Sequence, residues 1–174
     1  MKKYTFKKGK RKLKPREPLQ IWQPGKFESV EYTVRFDETI RYSLPGEEQE
    51  DWLKGGGVSF NLFTNHKNST MWGFRYNQKV DKVELNAYAH IDGNTYYTKW
   101  LVDLAINKTG KIKIYPGEGD IWITHFITDA KEVKIPWLIP NKALFYRRIK
   151  AWFGGTLPAP QDVNMYREFK KISR

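Results

Sequence analysis

The chain has 174 residues, 40% hydrophobic and 16% aromatic, which suffices for one domain that buries about 70% of its unfolded surface. The absence of cysteine excludes disulfides, thiol nucleophiles and thiolate metal sites, and no apolar run approaches the roughly 18 residues of a membrane-spanning helix. A formal net charge of +12 favours anionic partners.

The basic charge is concentrated at the N-terminus. Of 31 Lys and Arg, ten lie in residues 1–26, together with one acid, Glu17. We therefore predict a proline-punctuated basic arm over residues 1–26 and a globular domain over residues 27–174. The arm is either a solvated tail or a segment that binds polyanions, including nucleic acid without sequence preference. Its candidate contacts are Lys7, Lys8, Lys10, Arg11, Lys12, Lys14 and Arg16.

No secretory signal peptide is recognisable behind the charged start of the chain, because no apolar segment follows it. This predicts a cytoplasmic or virion location, with no membrane association.

Beyond the arm, apolar and polar residues alternate with a period of two, which is typical of half-buried strands. A long alternating stretch covers Glu31–Leu44, and the glycine-ending stretch that follows it, up to Gly57, is predicted to be a loop with one helical turn. Further strands are predicted at Val58–Thr64, Thr70–Tyr76, Lys82–Ile91, Thr95–Leu104, Lys111–Tyr115, Ile121–Ile127, Glu132–Trp137, Ala143–Phe153 and Asp162–Ile172.

Turn-forming residues separate these segments, and Asp92-Gly93 is the strongest tight-hairpin signal among them. About ten short strands with regular turns predict an all-β fold, namely an antiparallel two-sheet sandwich or jelly roll, with a single closed barrel as the alternative.

The closing stretch "AWFGGTLPAPQDVNMYREF" contains two glycines and two prolines between strand-like runs. A phosphate-binding loop would need a helix directly after the glycines, and Pro158 and Pro160 prevent one. We therefore interpret Gly154-Gly155 as part of a rigid bend that leads into the last strand.

The same residues carry a resemblance to known proteins. "WFGGTLPAPQDVNMYREF" resembles the closing segment of concanavalin-like jelly rolls. Together with "FNLFTNHKNSTMWGFRYN" and "VELNAYAHIDG", it is similar to small β-rich proteins of gut bacteria and their phages, over about Trp52 to Tyr166. Gln161 stands where that family has His. The resemblance implies the concanavalin-like fold and brings no established activity.

Two strands offer polar faces that could bind a ligand. Strict alternation would put Tyr146, Arg148, Lys150 and Trp152 on one face of their strand, and Asn86, Tyr88 and His90 on one face of another. Aromatic and cationic side chains in such a row suit an acidic glycan or a protein partner. The alternative is an ordinary polar sheet surface.

Three functions remain open at this point. The preferred one is a non-catalytic structural or attachment module, for example a phage virion component whose arm contacts an acidic partner or nucleic acid. The alternatives are lectin-like binding of acidic glycans and a jelly-roll polysaccharide lyase. The three histidines lack metal-ligand spacing, so we predict neither a metal nor a cofactor.

Overall fold

The computed structural model describes residues 1–99, 102–140 and 143–173. These residues form fourteen strands: β1 Lys2–Phe6, β2 Leu13–Lys14, β3 Ile21–Trp22, β4 Phe27–Phe36, β5 Leu53–Ser59, β6 Ser69–Asn77, β7 Lys82–Ile91, β8 Asn94–Tyr97, β9 Val102–Leu104, β10 Thr109–Pro116, β11 Ile121–Ile127, β12 Glu132–Leu138, β13 Tyr146–Ile149 and β14 Val163–Ser173. Short 3₁₀ turns lie at Pro24–Lys26, Glu38–Ile40 and Gly46–Glu50. Among the described residues, no helix is long and apolar enough to cross a membrane.

The strands pair into two antiparallel sheets, which confirms the predicted sandwich. The first sheet has the order β12-β11-β10-β4-β14-β1-β2, and the second has the order β3-β13-β5-β6-β7-β8, with β9 also paired to β7. Residues 100 and 101 of the predicted strand Thr95–Leu104 lie outside the described ranges, and β8 and β9 lie on either side of them.

The core fills the space between the two sheets with large aromatic side chains. Trp72 and Phe74 of the second sheet and Phe36 of the first are fully buried or nearly so, and the Phe36 and Phe74 ring centroids are 4.7 Å apart. Each such side chain contributes roughly 1.5–3 kcal/mol by leaving water. Thr70 and Thr124 join the sheets across this core through a hydrogen bond of 2.9 Å.

Residues 1–26, predicted as an arm beside the domain, supply β1, β2 and β3 to the sandwich. β1 pairs with β14 from Lys2↔Arg167 to Phe6↔Val163, β2 pairs with β1, and β3 pairs with β13. Phe6 and Leu13 belong to the core. These apolar residues are widely spaced among many lysines, so the sequence shows no strand pattern in this segment. Their burial holds the segment in place.

The predicted loop before Val58 is wrong in part, since β5 contains all three glycines of "LKGGG". The glycines are required by close neighbours rather than by a turn. A Cβ at Gly55 would overlap the Trp72 ring, and one at Gly57 would lie 2.7 Å from Met71 Cα. The strand therefore packs where any larger residue would push its neighbours away.

Two predicted turns are present. β7 and β8 are joined through Asp92 and Gly93, with φ of 49° and 86°, the left-handed geometry of a tight hairpin. The chain bends after β13 and crosses to β14 in the other sheet. In that bend Gly155 has φ of 72° and lies against Asp51, whose Cγ would be 3.0 Å from a Cβ at this position.

Candidate functional site

The face of the second sheet that points away from the first sheet carries the candidate site, and we call it the groove face. Its residues are identified by register, because directly opposed residues of antiparallel strands point to the same side. Three rows cross it: Lys12–Trp152–Lys54–Gly73–Asn86, Ile149–Gly57–Met71–Tyr88–Tyr97, and Arg147–Ser59–Ser69–His90–Thr95.

The floor of the groove face is buried although it faces away from the core. Met71, Ile149 and Asn86 are each 0% exposed, and neither Met71 nor Ile149 belongs to the core cluster between the sheets. Glycines at 57 and 73 leave this floor without side chains at its centre. A sheet face with a small-residue floor beneath larger flanking side chains forms a concave site.

One side of the groove face contains a cleft of about 520 Å³, which we call the aromatic cleft. Its lining includes Trp52, Lys54, Arg75, Tyr88, Tyr97 and Lys99, together with the carboxylates of Glu50 and Asp51. Lys54 Nζ lies 3.8 Å from the centroid of the Tyr88 ring, and the Tyr88 and Tyr97 rings are stacked with centroids 5.8 Å apart. The cleft therefore presents a cation beside a pair of parallel aromatic rings.

Lys54 is a partly buried cation in the aromatic cleft. Burial lowers its pKa from the ordinary 10.5 to about 8, and the nearby Asp51 carboxylate only partly opposes this shift. Its Nζ donates a hydrogen bond of 2.9 Å to the Trp52 carbonyl. By contrast, Arg75 is already paired with Glu84 at 2.6 Å and Glu50 at 2.5 Å. Lys54 is thus better placed than Arg75 to meet an incoming anion.

The three predicted residues of β7, Asn86, Tyr88 and His90, all lie on the groove face. Burial, followed by the nearby His66 and Lys54, lowers the pKa of His90 to about 4, so its imidazole is neutral at neutral pH. Its Nδ1 is 3.2 Å from Thr95 Oγ1. Burial also raises the pKa of Tyr88, which therefore keeps its phenolic proton.

The predicted common face of Tyr146, Arg148, Lys150 and Trp152 is wrong. Tyr146 points into the core, where its ring centroid is 5.1 Å from that of Phe27, and Arg148 is 3% exposed. Lys150 is exposed, and Trp152 lies on the groove face beside Lys54. β13 ends at Ile149, and the irregular backbone before Trp152 shifts the alternation by one residue.

The buried Arg148 belongs to an ionic cluster that the sequence did not reveal. The Glu17 carboxylate pairs with Arg148 at 2.5 Å and also with Arg167, and it accepts a hydrogen bond of 2.8 Å from the Ala151 backbone. All three charged side chains are at most 3% exposed. Glu17 thereby fixes the N-terminal segment against β13 and β14, at the edge of the groove face.

A second cleft, of about 340 Å³, lies on the other side of Trp152, and we call it the basic cleft. Its lining includes Lys12, Arg16, Glu17, Arg147, Lys150 and Trp152.

Of the cations predicted for the arm, Lys12 and Arg16 thus line the basic cleft. Lys7 instead pairs with Asp162 at 2.7 Å, and Arg11 donates to the Gly155 carbonyl at 2.9 Å, so these two hold the closing bend. Lys8, Lys10 and Lys14 are exposed.

Sequence reasoning missed Lys54, Trp52, Tyr97 and Arg147 as members of the site. Lys54 and Trp52 lie in the stretch for which the glycines predict a loop, and strict alternation puts Arg147 on the face opposite to Arg148. Within the described ranges, no three His, Asp or Glu side chains are grouped as metal ligands would be.

No protein-family model and no curated protein matches this sequence. Several solved structures are similar to it in fold. A protein of unknown function from Saccharomyces cerevisiae superposes with a TM-score of 0.58 at 10% identity, covering 88% of this chain and 73% of the other. An alginate lyase from Pseudomonas aeruginosa gives 0.58 at 10% identity, over 88% and 68% of the two chains. An exolytic alginate lyase from Zobellia galactanivorans gives 0.50 at 10% identity, over 89% and 77%. These likenesses establish a shared jelly-roll fold.

Proposed function

We propose that the groove face binds an acidic polysaccharide, with uronate units held in the aromatic cleft. The observation that carries the proposal is the position of Lys54. Its backbone pairs with Trp152, and its ammonium lies over the Tyr88 ring, which is stacked on Tyr97. One cation thus lies against a pair of aromatic rings inside a concave, partly buried cleft.

This arrangement matches the two chemical features of a uronate polymer. The apolar faces of sugar rings pack on aromatic rings, as the exposed Tyr97 would allow. The carboxylate accepts charge-assisted hydrogen bonds, which are strongest where water is partly excluded. The neutral His90 adds a polar group along the same strand.

The preferred hypothesis from the sequence, a phage structural module, gains no support. It depended on a free basic arm, and residues 1–26 instead supply β1 and β2 to the first sheet and β3 to the second. Two of the similar solved structures are alginate lyases, which is compatible with a glycan ligand. At about 10% identity this likeness concerns the fold, so the groove itself carries the proposal. Contact with a protein partner or with nucleic acid stays a prediction.

The first experiment is a binding screen of the whole chain against alginate, polygalacturonate, a neutral xylan and duplex DNA. Binding is followed by tryptophan fluorescence at low and moderate salt. The proposal predicts saturable binding of an acidic polysaccharide that persists at moderate salt, with no binding of the neutral polymer. Binding of DNA alone, steeply weakened by salt, would show a non-specific polyanion surface instead.

A second candidate function is lyase chemistry in the same cleft. It is favoured by Tyr88 and His90, which alternate along β7, since a phenol and a neutral imidazole are groups that β-elimination uses to transfer protons. The screened mixtures are therefore also read for ultraviolet absorbance of an unsaturated product. A rise with alginate or polygalacturonate would support the lyase, and binding with no rise would leave the chain as a lectin-like module.

A further inference from the structure

The basic cleft differs from the rest of the protein surface in the balance of its charges. Four cations line it, Lys12, Arg16, Arg147 and Lys150, with Glu17 as its one acidic lining residue. The Glu17 carboxylate is already used by Arg148 and Arg167 in the buried cluster. The cleft therefore has no free carboxylate of its own to neutralise its cations.

The cations at the mouth of the basic cleft are available to a ligand. The structure gives Lys12, Arg16 and Lys150 no ion pair with any residue it describes, and all three side chains are exposed. Arg147 is held rigidly, because its guanidinium donates to the Asn61 carbonyl at 3.2 Å and to Asn65 Oδ1 at 2.5 Å. A fixed guanidinium beside mobile lysines is a common way of holding a carboxylate or a sulfate.

Trp152 connects the basic cleft to the aromatic cleft. Its backbone exchanges two hydrogen bonds of 3.0 Å with Lys54, and Lys12 pairs with it on the other side. Lys12 and Lys54 are therefore separated by two strand spacings, roughly 10 Å. A single sugar unit would contact one of the two clefts, whereas an oligosaccharide lying across Trp152 would reach both.

We infer that the basic cleft is a second, anion-binding subsite for the same acidic polysaccharide, so that the ligand is a polymer of several charged units crossing Trp152. This inference rests on the proposed function. It adds that the ligand runs across Trp152 and is longer than a single sugar unit. The acidic groups of one end lie among Lys12, Lys150 and Arg147, and those of the other end lie at Lys54.

The experiment compares the affinities of the wild-type chain for alginate disaccharide, tetrasaccharide and hexasaccharide with those of the double variant Lys12→Ala/Lys150→Ala. Both lysines are exposed, and the structure gives neither side chain an ion pair with a residue it describes, so we expect the variant to keep the wild-type fold. The matched control is Lys111→Ala/Lys134→Ala, which removes the same charge from exposed positions of the first sheet. Polygalacturonate oligosaccharides of the same lengths are run in parallel.

The inference predicts that the wild-type chain binds the hexasaccharide more tightly than the disaccharide. The Lys12/Lys150 variant loses about tenfold in affinity for the hexasaccharide and almost nothing for the disaccharide. The control variant changes neither by more than about twofold.

Two results would overturn the inference. If every length bound equally and the Lys12/Lys150 variant matched the control, the second subsite would be wrong while the proposed function stood. If no length of either acid bound to the wild-type chain, the proposed function would fail together with the subsite.

Discussion

The outward faces of the two sheets differ in how far their side chains are buried, and this difference distinguishes a binding surface from an ordinary sheet surface. On the first sheet, the outward Lys113 and Glu31 are partly exposed and paired at 3.1 Å, and Arg35 lies over Tyr166 at 4.1 Å. On the second sheet, the outward Met71 and Asn86 are fully buried.

The difference arises from the segments that surround the second sheet. The loop after β5 is tied to the sheet through Ser59, whose Oγ donates to the Thr64 carbonyl at 2.9 Å, and through Ser69, whose Oγ donates to the Asn65 carbonyl at 2.7 Å. The N-terminal segment is tied to it through Glu17. When chain segments surround an outward face, they bury polar residues there and make the face concave. Such a face is a better candidate for a binding site than an open, solvated one.

The largest expected effect concerns Glu17, which ties the N-terminal segment to both sheets. In Glu17→Gln, Arg148 and Arg167 lose their shared carboxylate inside the protein, and we expect a loss of about 3–5 kcal/mol in the free energy of unfolding. Urea denaturation measures it. Asp162→Asn, which removes an exposed pair with Lys7, is the control and should change stability little. Equal effects of the two substitutions would contradict an anchoring role for Glu17.

The next effect concerns the floor of the groove face. In Gly57→Ala, the added Cβ would lie 2.7 Å from Met71 Cα, so β5 and β6 must separate, at a cost of about 1–3 kcal/mol. Gly25→Ala is the control, because a Cβ there meets nothing within 4 Å. A Gly57→Ala variant as stable as Gly25→Ala would mean that the floor is looser than described.

A smaller effect concerns the charge of Lys54. Its pKa of about 8 lies below the ordinary value, so the ammonium form is present below pH 8 and is lost as the pH rises through that value. Over this range His90 stays neutral and Tyr88 stays protonated. We expect the affinity for alginate to fall about three- to tenfold between roughly pH 7 and pH 9. In Lys54→Arg the charge persists, and the decline should be less than about twofold. Parallel declines in both proteins would rule out Lys54 as the titrating contact.

The sequence predicted the parts of the fold that depend on local chemistry. The alternation of β7 is regular over ten residues, so Asn86, Tyr88 and His90 were placed together on one face, and the Asp92-Gly93 hairpin follows from the left-handed backbone that these residues tolerate. A long, regular strand that ends in a tight turn has few alternative registers, so the face of each of its residues can be predicted.

The parts that failed depend on contacts between distant segments. β13 has only four residues, so one irregular step before Trp152 was enough to reverse the faces of Tyr146 and Arg148. The glycines of β5 resembled a loop because the side chains that leave no room for a Cβ there, Trp72 and Tyr32, belong to other strands. The N-terminal segment resembled a free arm because its anchors, Phe6, Leu13 and Glu17, are spaced too widely to form a pattern.

The most direct test of the account compares two neighbouring tyrosines of β8 that differ mainly in the face they occupy. Tyr97 is 55% exposed and opposes Tyr88 on the groove face, whereas Tyr96 is 46% exposed and opposes Ala89 on the other face. The measurement is the affinity of Tyr97→Ala and Tyr96→Ala for the acidic polysaccharide that the wild-type chain binds. We expect about a tenfold loss for Tyr97→Ala and a change within about twofold for Tyr96→Ala. Equal losses in the two variants, or a loss confined to Tyr96→Ala, would contradict binding on the groove face.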